Sequence, residues 1–310
     1  MKKKILVTGG SGMLGSACCV AYSKKYKTYF SYNSNAVKIK GCEGFKADLS
    51  DAKQTEKLFK KINPDIVVHT AAQTNLELCE KNPEIAEKDN VIATANVAEQ
   101  CSSNGALLIH ISTNYVFDGA KGNYKETDKP NPLSVYAESK TRAEKEISKR
   151  LKKYFIVRTS IFGWNPIKER VNSITWLLRD LIAGKKVLAI KDQYSSMMLA
   201  NDLADKLKLL FDSDKYGIYN IATKDKTDRL SLAKKVSKMY GFDSKLIQPV
   251  SFNEFKKLDF WKAGRPKDSS LNCSKFEKTF KTKLPTVDQC LKRFKGLGDN
   301  DYLKQFKINK

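Results

Sequence analysis

Through its first half the chain alternates two patterns. Nearly unbroken apolar runs such as Ile5-Leu6-Val7, Ile66-Val67-Val68 and Leu107-Leu108-Ile109 are followed by stretches with apolar residues every three or four positions. The runs predict strands over 4–8, 28–32, 44–47, 65–70, 107–112 and 154–158. The periodic stretches predict helices over 13–25, 51–62, 83–103 and 135–151. A strand apolar on both faces has to be covered on both, and a strand followed each time by a helix implies a parallel sheet. The expectation is therefore an α/β fold built on a doubly wound parallel sheet. Beyond Trp164 the rhythm changes to a helix over 173–183, a strand over 186–190, a helix over 201–212 and a strand over 217–221. Short helices follow over 230–240, 252–258, 273–280 and 287–294. This organisation predicts one domain from residues 1–163 and 196–222. A smaller, mostly helical C-terminal domain would form from 164–195 and 223–310.

Composition narrows the classes. The 310 residues can bury a full core. No apolar run approaches the ~20 residues of a membrane span. The opening Lys2-Lys3-Lys4-Ile5-Leu6-Val7 stops at Gly9-Gly10, too soon for a secretory signal. A cytoplasmic protein without a membrane partner is expected. Seven scattered cysteines with no Cys-x-x-Cys, beside only His69 and His110, give no zinc constellation and read as reduced thiols. No metal site is predicted. The net charge of +23 is mostly lysine, spread along the whole length. Without an arginine–aromatic stripe it argues against nucleic acid and suits a field that attracts small anionic ligands.

Two local motifs carry chemistry. Thr8-Gly9-Gly10-Ser11-Gly12-Met13-Leu14-Gly15 joins the first strand to the first helix, and it fits either Gly10-x-Gly12-x-x-Gly15 or Gly9-x-x-Gly12-x-x-Gly15. Glycines there permit a tight turn and let backbone approach a pyrophosphate at the helix N-terminus, the Rossmann-type dinucleotide arrangement. Gly9, Gly12, Met13, Leu14 and Gly15 are the candidate cofactor contacts. The second strand ends in Tyr32-Asn33-Ser34 with no carboxylate to bind the adenosine ribose, so NADP(H) is favoured and NAD(H) is the alternative. Asp48-Leu49 closes the third strand, either against the adenine or with Asp48 as a helix N-cap. The second motif is Tyr136-x-x-x-Lys140. Four residues is about one helical turn, which puts the ammonium on the face of the phenol and in a position to stabilise its anion.

With these motifs, Ser112-Thr113-Asn114-Tyr115-Val116-Phe117-Asp118-Gly119, Ala71-Ala72-Gln73-Thr74, Val157-Arg158-Thr159-Ser160 and Arg265-Pro266-Lys267-Asp268-Ser269 resemble extended short-chain dehydrogenase/reductases. Among them the chain is most similar to dTDP-4-dehydrorhamnose reductases, over nearly its whole length. The resemblance implies a catalytic triad of Thr113, Tyr136 and Lys140. In it Tyr136 is the general acid for reduction of a 4-keto-6-deoxy sugar nucleotide, Lys140 lowers the Tyr136 pKa, and Thr113 holds the carbonyl oxygen. It further implies Ala71, Ala72, Asn90 and Ile161 on the cofactor side and Tyr115, Val116, Trp164 and Arg265 for the sugar nucleotide. The smaller domain would bind the substrate, and related enzymes imply a homodimer. Asn114, Ala137 and Ser270 stand where those reductases generally have Asp, Gly and Arg. Thr113-Asn114-Tyr115 lacks the two carboxylates of the 4,6-dehydratases. An epimerase is one alternative; the other is a non-catalytic subunit resembling the β subunit of methionine adenosyltransferase.

Overall fold

The computed structural model describes residues 2–308. Seven strands form one sheet in which every pairing is parallel. From edge to edge they run Gly217–Asn220, Tyr154–Arg158, Leu107–Ile111, Ile66–His69, Lys4–Thr8, Lys27–Tyr32 and Cys42–Lys46. Chain order reverses at Lys4–Thr8, so the crevice beyond the carboxyl end of this strand is a topological switch point, where α/β sheets bind their ligands.

The lack of apolar–polar alternation in the strands has a direct cause. Ile5, Val7, Val68, Ile109 and Val157 enter one core with Leu14, Ala17 and Cys18 of the helix Met13–Tyr22 and Leu203 and Leu207 of Ala200–Leu207. Leu6, Val67, Leu108 and Ile156 point the other way. They pack with Leu58 and Phe59 of Ala52–Ile62, Val97 and Cys101 of Ala93–Asn104, and Ile147 of Val135–Arg150. Both faces are dry, as parallel sheets require.

Several expectations shift. The helix predicted over 13–25 ends at Tyr22. The single helix predicted over 83–103 is broken: Pro83–Ala86 passes through a π-helical stretch, Glu87–Ile92, before Ala93–Asn104. Asp48 does not cap the second helix. Asp51 does, accepting from the N–H groups of Lys53 and Gln54, while Asp48 accepts from Ser50 and pairs with Lys88 at 3.1 Å. A helix missed by periodicity, Leu76–Lys81, is capped by the Asn75 side chain. Beyond the sheet, Val187–Ile190 pairs in parallel with Ile247–Val250, and the helices Ser173–Ile182 and Arg229–Tyr240 cover that pair. Near the C-terminus Phe306–Ile308 pairs with Val37–Ile39. No helix among the described residues is long and apolar enough to cross a membrane.

Candidate active site

A cavity of about 830 Å³ lies at the switch point. One end is the glycine turn. Gly9 has φ +66°, and a Cβ on Gly15 would stand 2.2 Å from the Gly9 carbonyl oxygen. Gly9, Gly12 and Gly15 line the cavity with Met13 and Leu14, whereas Gly10 lies under the Phe30 ring, where a Cβ would stand 2.6 Å from Cδ2. The structure thereby separates the two glycine spacings: the wider one faces the cavity and Gly10 serves packing. Gly12 caps the helix without a side-chain hydrogen bond, and its first turn holds no acidic residue. The N–H groups of that turn have no intrahelical acceptor and carry the positive end of the helix dipole.

The other end is formed by Tyr136, Lys140, Thr113 and Tyr115. Ser134 caps the helix Val135–Arg150, which brings Tyr136 and Lys140 to one face. The phenol is buried beside Thr113, and both line the cavity. Burial pushes its pKa up to about 12, against the lowering by Thr113, so the depression expected from Lys140 is not the net effect. Lys140 is 2% exposed, and burial brings it down to about 8 although Glu144, one turn on, pulls it up. Its ammonium donates to the Ile111 carbonyl at 2.8 Å and lies 3.1 Å from His110 Nε2. Glu144 is itself held by Arg158 at 2.7 Å and accepts from Ser112 at 2.6 Å.

Asn90 occupies the π-helical stretch, away from the cavity lining. Its side chain accepts from the Gln73 N–H and donates to the Gln73 carbonyl and the Ser139 hydroxyl. It ties the loop carrying Ala72 to the helix carrying Tyr136. Ala72 and Ile161 line the cavity, and Ala71 packs against Gly9 beside it. Tyr32 is half-buried and Asn33 and Ser34 are exposed, just past the strand next to Lys4–Thr8; Asp48 and Leu49 lie by the edge strand. None of these five lines the cavity.

Three of the residues expected at the sugar nucleotide lie elsewhere. Val116 is fully buried. Trp164 donates Nε1–H to the Phe294 carbonyl at 2.9 Å and stacks on that ring at 4.4 Å. Arg265 stands 3.9 Å over the Trp261 ring and pairs with Glu77 at 2.7 Å. In their place the outer cavity holds Arg170, Asn172, Gln193 and Arg229. Arg170, Asn172 and Arg229 follow no local motif in the sequence. Ser270 turns to Asp268 and Asn123.

The residues fit a dinucleotide. Gly9 and Gly15 leave no room for side chains, the first helical turn has no side-chain cap, and the buried Thr159 hydroxyl on the cavity wall has no partner among the described residues.

A glycine turn at the switch point, with a Tyr–Lys pair across the crevice, matches the short-chain dehydrogenase/reductase architecture. Residues 2–296 match the RmlD substrate binding domain, and the chain belongs to that family. It is 28% identical over 289 residues to a probable low-salt glycan biosynthesis reductase of Haloferax volcanii, covering 92% of this chain and 95% of that one. It is 25% identical over 292 residues to methionine adenosyltransferase 2 subunit beta of Bos taurus, covering 89% and 82%. A solved dTDP-4-dehydrorhamnose reductase from Bacillus anthracis in complex with NADP superposes with a TM-score of 0.84 at 27% identity, covering 95% of this chain and 99% of that one.

Proposed function

We propose that the protein reduces the 4-keto group of a 4-dehydro-6-deoxy sugar nucleotide with NADPH, NADH serving less well. The observation carrying this reading is the meeting of Thr113, Tyr136 and Lys140 on one wall of a cavity whose other end is the glycine cradle. Gly9, Gly12 and Gly15 with the first helical turn would hold the pyrophosphate, and residues 1–163 and 196–222 would form the dinucleotide domain. Residues 164–195 and 223–310 would hold the sugar nucleotide, whose diphosphate suits Arg170 and Arg229.

A reduced nicotinamide bound there would supply a hydride to the ketone carbon. Tyr136 keeps its proton at neutral pH because burial holds its pKa high, and it gives that proton to the ketone oxygen as charge develops. The Thr113 hydroxyl, on the same cavity wall as Tyr136, steadies the same oxygen. Lys140 supplies the positive charge that offsets the phenolate left behind. The test is a spectrophotometric screen of NADPH and NADH with dTDP-, UDP- and GDP-linked 4-keto-6-deoxy sugars. NADPH consumption with at least one is expected; none with any of them would remove the reading.

Similarity to methionine adenosyltransferase 2 subunit beta favours a second reading, in which the same cavity serves a non-catalytic subunit. Stable co-purification with a methionine adenosyltransferase catalytic chain, without turnover in the screen, would select it.

A further inference from the structure

His69 and His110 face each other as register partners on neighbouring strands, with ring centroids 5.2 Å apart and both fully buried. Their surroundings differ. Thr94 donates its hydroxyl to the Asn90 carbonyl at 2.6 Å, so its oxygen is the acceptor for His69 Nε2 at 3.0 Å. The Thr8 hydroxyl oxygen accepts from the N–H groups of Thr70 and Ala71, which leaves its hydrogen for His69 Nδ1 at 2.7 Å. Every hydrogen bond in this chain thus has one direction. His69 is neutral, protonated on Nε2, and has no capacity left for a neighbour.

His110 has no such support. Its Nδ1 is buried without a partner among the described residues, and the only hydrogen-bond contact of its ring is Lys140 Nζ, 3.1 Å from Nε2. An ammonium has three donors and no acceptor. One donor goes to the Ile111 carbonyl, and Lys140 otherwise faces the cavity. We propose that His110 is a positioning residue: a neutral imidazole protonated on Nδ1, it accepts from the Lys140 ammonium at Nε2. Together with the Ile111 carbonyl it fixes two of the three N–H groups and directs the third into the cavity. With Nε2 accepting, the ring proton sits on the buried Nδ1, which has no partner among the described residues. Burial, the Lys140 charge and His69 hold the His110 pKa well below its ordinary value, so the ring stays an acceptor across the working pH range.

Several titratable or charged groups bear on Lys140. His110 and His69 approach from the sheet, and Tyr136 and Glu144 lie on its own helix. Arg158 acts through Glu144, and Tyr115 and Cys79 act through Tyr136. Among these, only the His110 nitrogen accepts directly from the ammonium. The consequence for turnover rests on the reductase reading, but the hydrogen bond itself does not.

The experiment therefore uses the full chain labelled in histidine 15N and lysine 13Cε. In the wild type, NMR should show one imidazole protonated on Nδ1, with an acceptor Nε2 whose resonance moves in Lys140→Met. Both rings protonated on Nε2 at neutral pH would overturn the proposal without any His110 variant having to fold. His110→Phe keeps the ring and removes the acceptor. It should lower the Lys140 titration by roughly one unit, a tenfold loss of proton affinity. His110→Gln, which places an amide oxygen near Nε2, should restore most of it. An unmoved Lys140 titration in a folded His110→Phe protein would also overturn the proposal. If the wild type oxidises NADPH, the alkaline limb of kcat should shift downward in His110→Phe and return in His110→Gln. Failure of all turnover would count against the reductase reading alone.

Discussion

The Asn114 amide donates to Ser269 twice, to its hydroxyl at 2.7 Å and to its carbonyl at 3.2 Å, and reaches the Ser195 hydroxyl at 3.2 Å as well. The residue next to Thr113 therefore pins two cavity-lining loops with donors that an aspartate at this position would lack. Asn114→Asp should leave the Ser269 carbonyl unsatisfied against a carboxylate. A loss of about 1–3 kcal/mol at neutral pH is expected by urea unfolding. The buried carboxyl would have a raised folded pKa, so the deficit should grow as pH rises through the ordinary aspartate value near ~4 and should narrow below it. Equal stability of variant and wild type at pH 7 would refute this account of the loops.

The glycine turn separates packing from binding. A Cβ on Gly12 meets only the Gly9 oxygen at 3.2 Å, a contact that a small shift relieves, but it would occupy the mouth of the uncapped helix end. Gly12→Ala should fold with near-normal stability and bind NADPH about tenfold more weakly or worse, since ~1.4 kcal/mol of lost phosphate contact is enough. On Gly15 the same carbon lies 2.2 Å from backbone that cannot yield, so Gly15→Ala should lower both binding and melting temperature. Fluorescence titration and thermal unfolding distinguish the two, and unchanged affinity in both variants would place the pyrophosphate elsewhere.

Much of this architecture is written locally. The strands at Lys4–Thr8 and Tyr154–Arg158 and the helix from Ala52 to Ile62 follow from runs and periods only a few residues long, and so do the glycine turn and the Tyr136–Lys140 spacing. What stayed hidden depends on distant partners. The strand Ile247–Val250 contains Pro249, which argues against a strand until Val187–Ile190 is known to lie beside it. Val37–Ile39 is three residues long and pairs with a segment near the other end of the chain. The π-helical stretch around Asn90 breaks no sequence rule; the Gln73 and Ser139 contacts mark it.

Site chemistry divides the same way. His69 and His110 both fall in apolar strand runs, and only the strand register that sets them side by side shows that one is saturated while the other serves Lys140. Arg265 and Trp164 looked suited to a nucleotide because an arginine and an indole are good at that task. Their observed partners, Glu77, Trp261 and Phe294, are supplied by segments far along the chain.

Tyr136→Phe removes one oxygen from a buried ring without disturbing its packing against Cys79 and Ala86. If the phenol is the proton donor, kcat should fall on the order of 10²–10⁴-fold, the usual contribution of a placed acid. NADPH affinity should stay within a factor of a few, because the glycine cradle is untouched. Single-turnover kinetics with a 4-keto sugar nucleotide would reveal the deficit in the chemical step. Turnover within a few-fold of wild type would show that another group donates the proton.

Lys140 has a titration signature of its own. Its folded pKa is lowered from 10.5 to about 8 by burial, so the folded protein resists carrying this charge. Below pH 8 the lysine is protonated in both states, and the full penalty applies. Between pH 8 and 10.5 the unfolded chain holds the proton more tightly than the folded one, so this group's contribution to stability improves as pH rises. At ~1.36 kcal/mol per unit the shift corresponds to roughly 3 kcal/mol. Raised cysteine and tyrosine pKa values act in the opposite sense over the same range, so the effect has to be read as a difference. Lys140→Met abolishes the titration and leaves those groups in place. The stability of wild type minus variant, from urea unfolding at pH 7, 8.5 and 10, should move toward the wild type by up to that amount. A difference independent of pH would mean that Lys140 titrates near its ordinary value and that burial does not tune it.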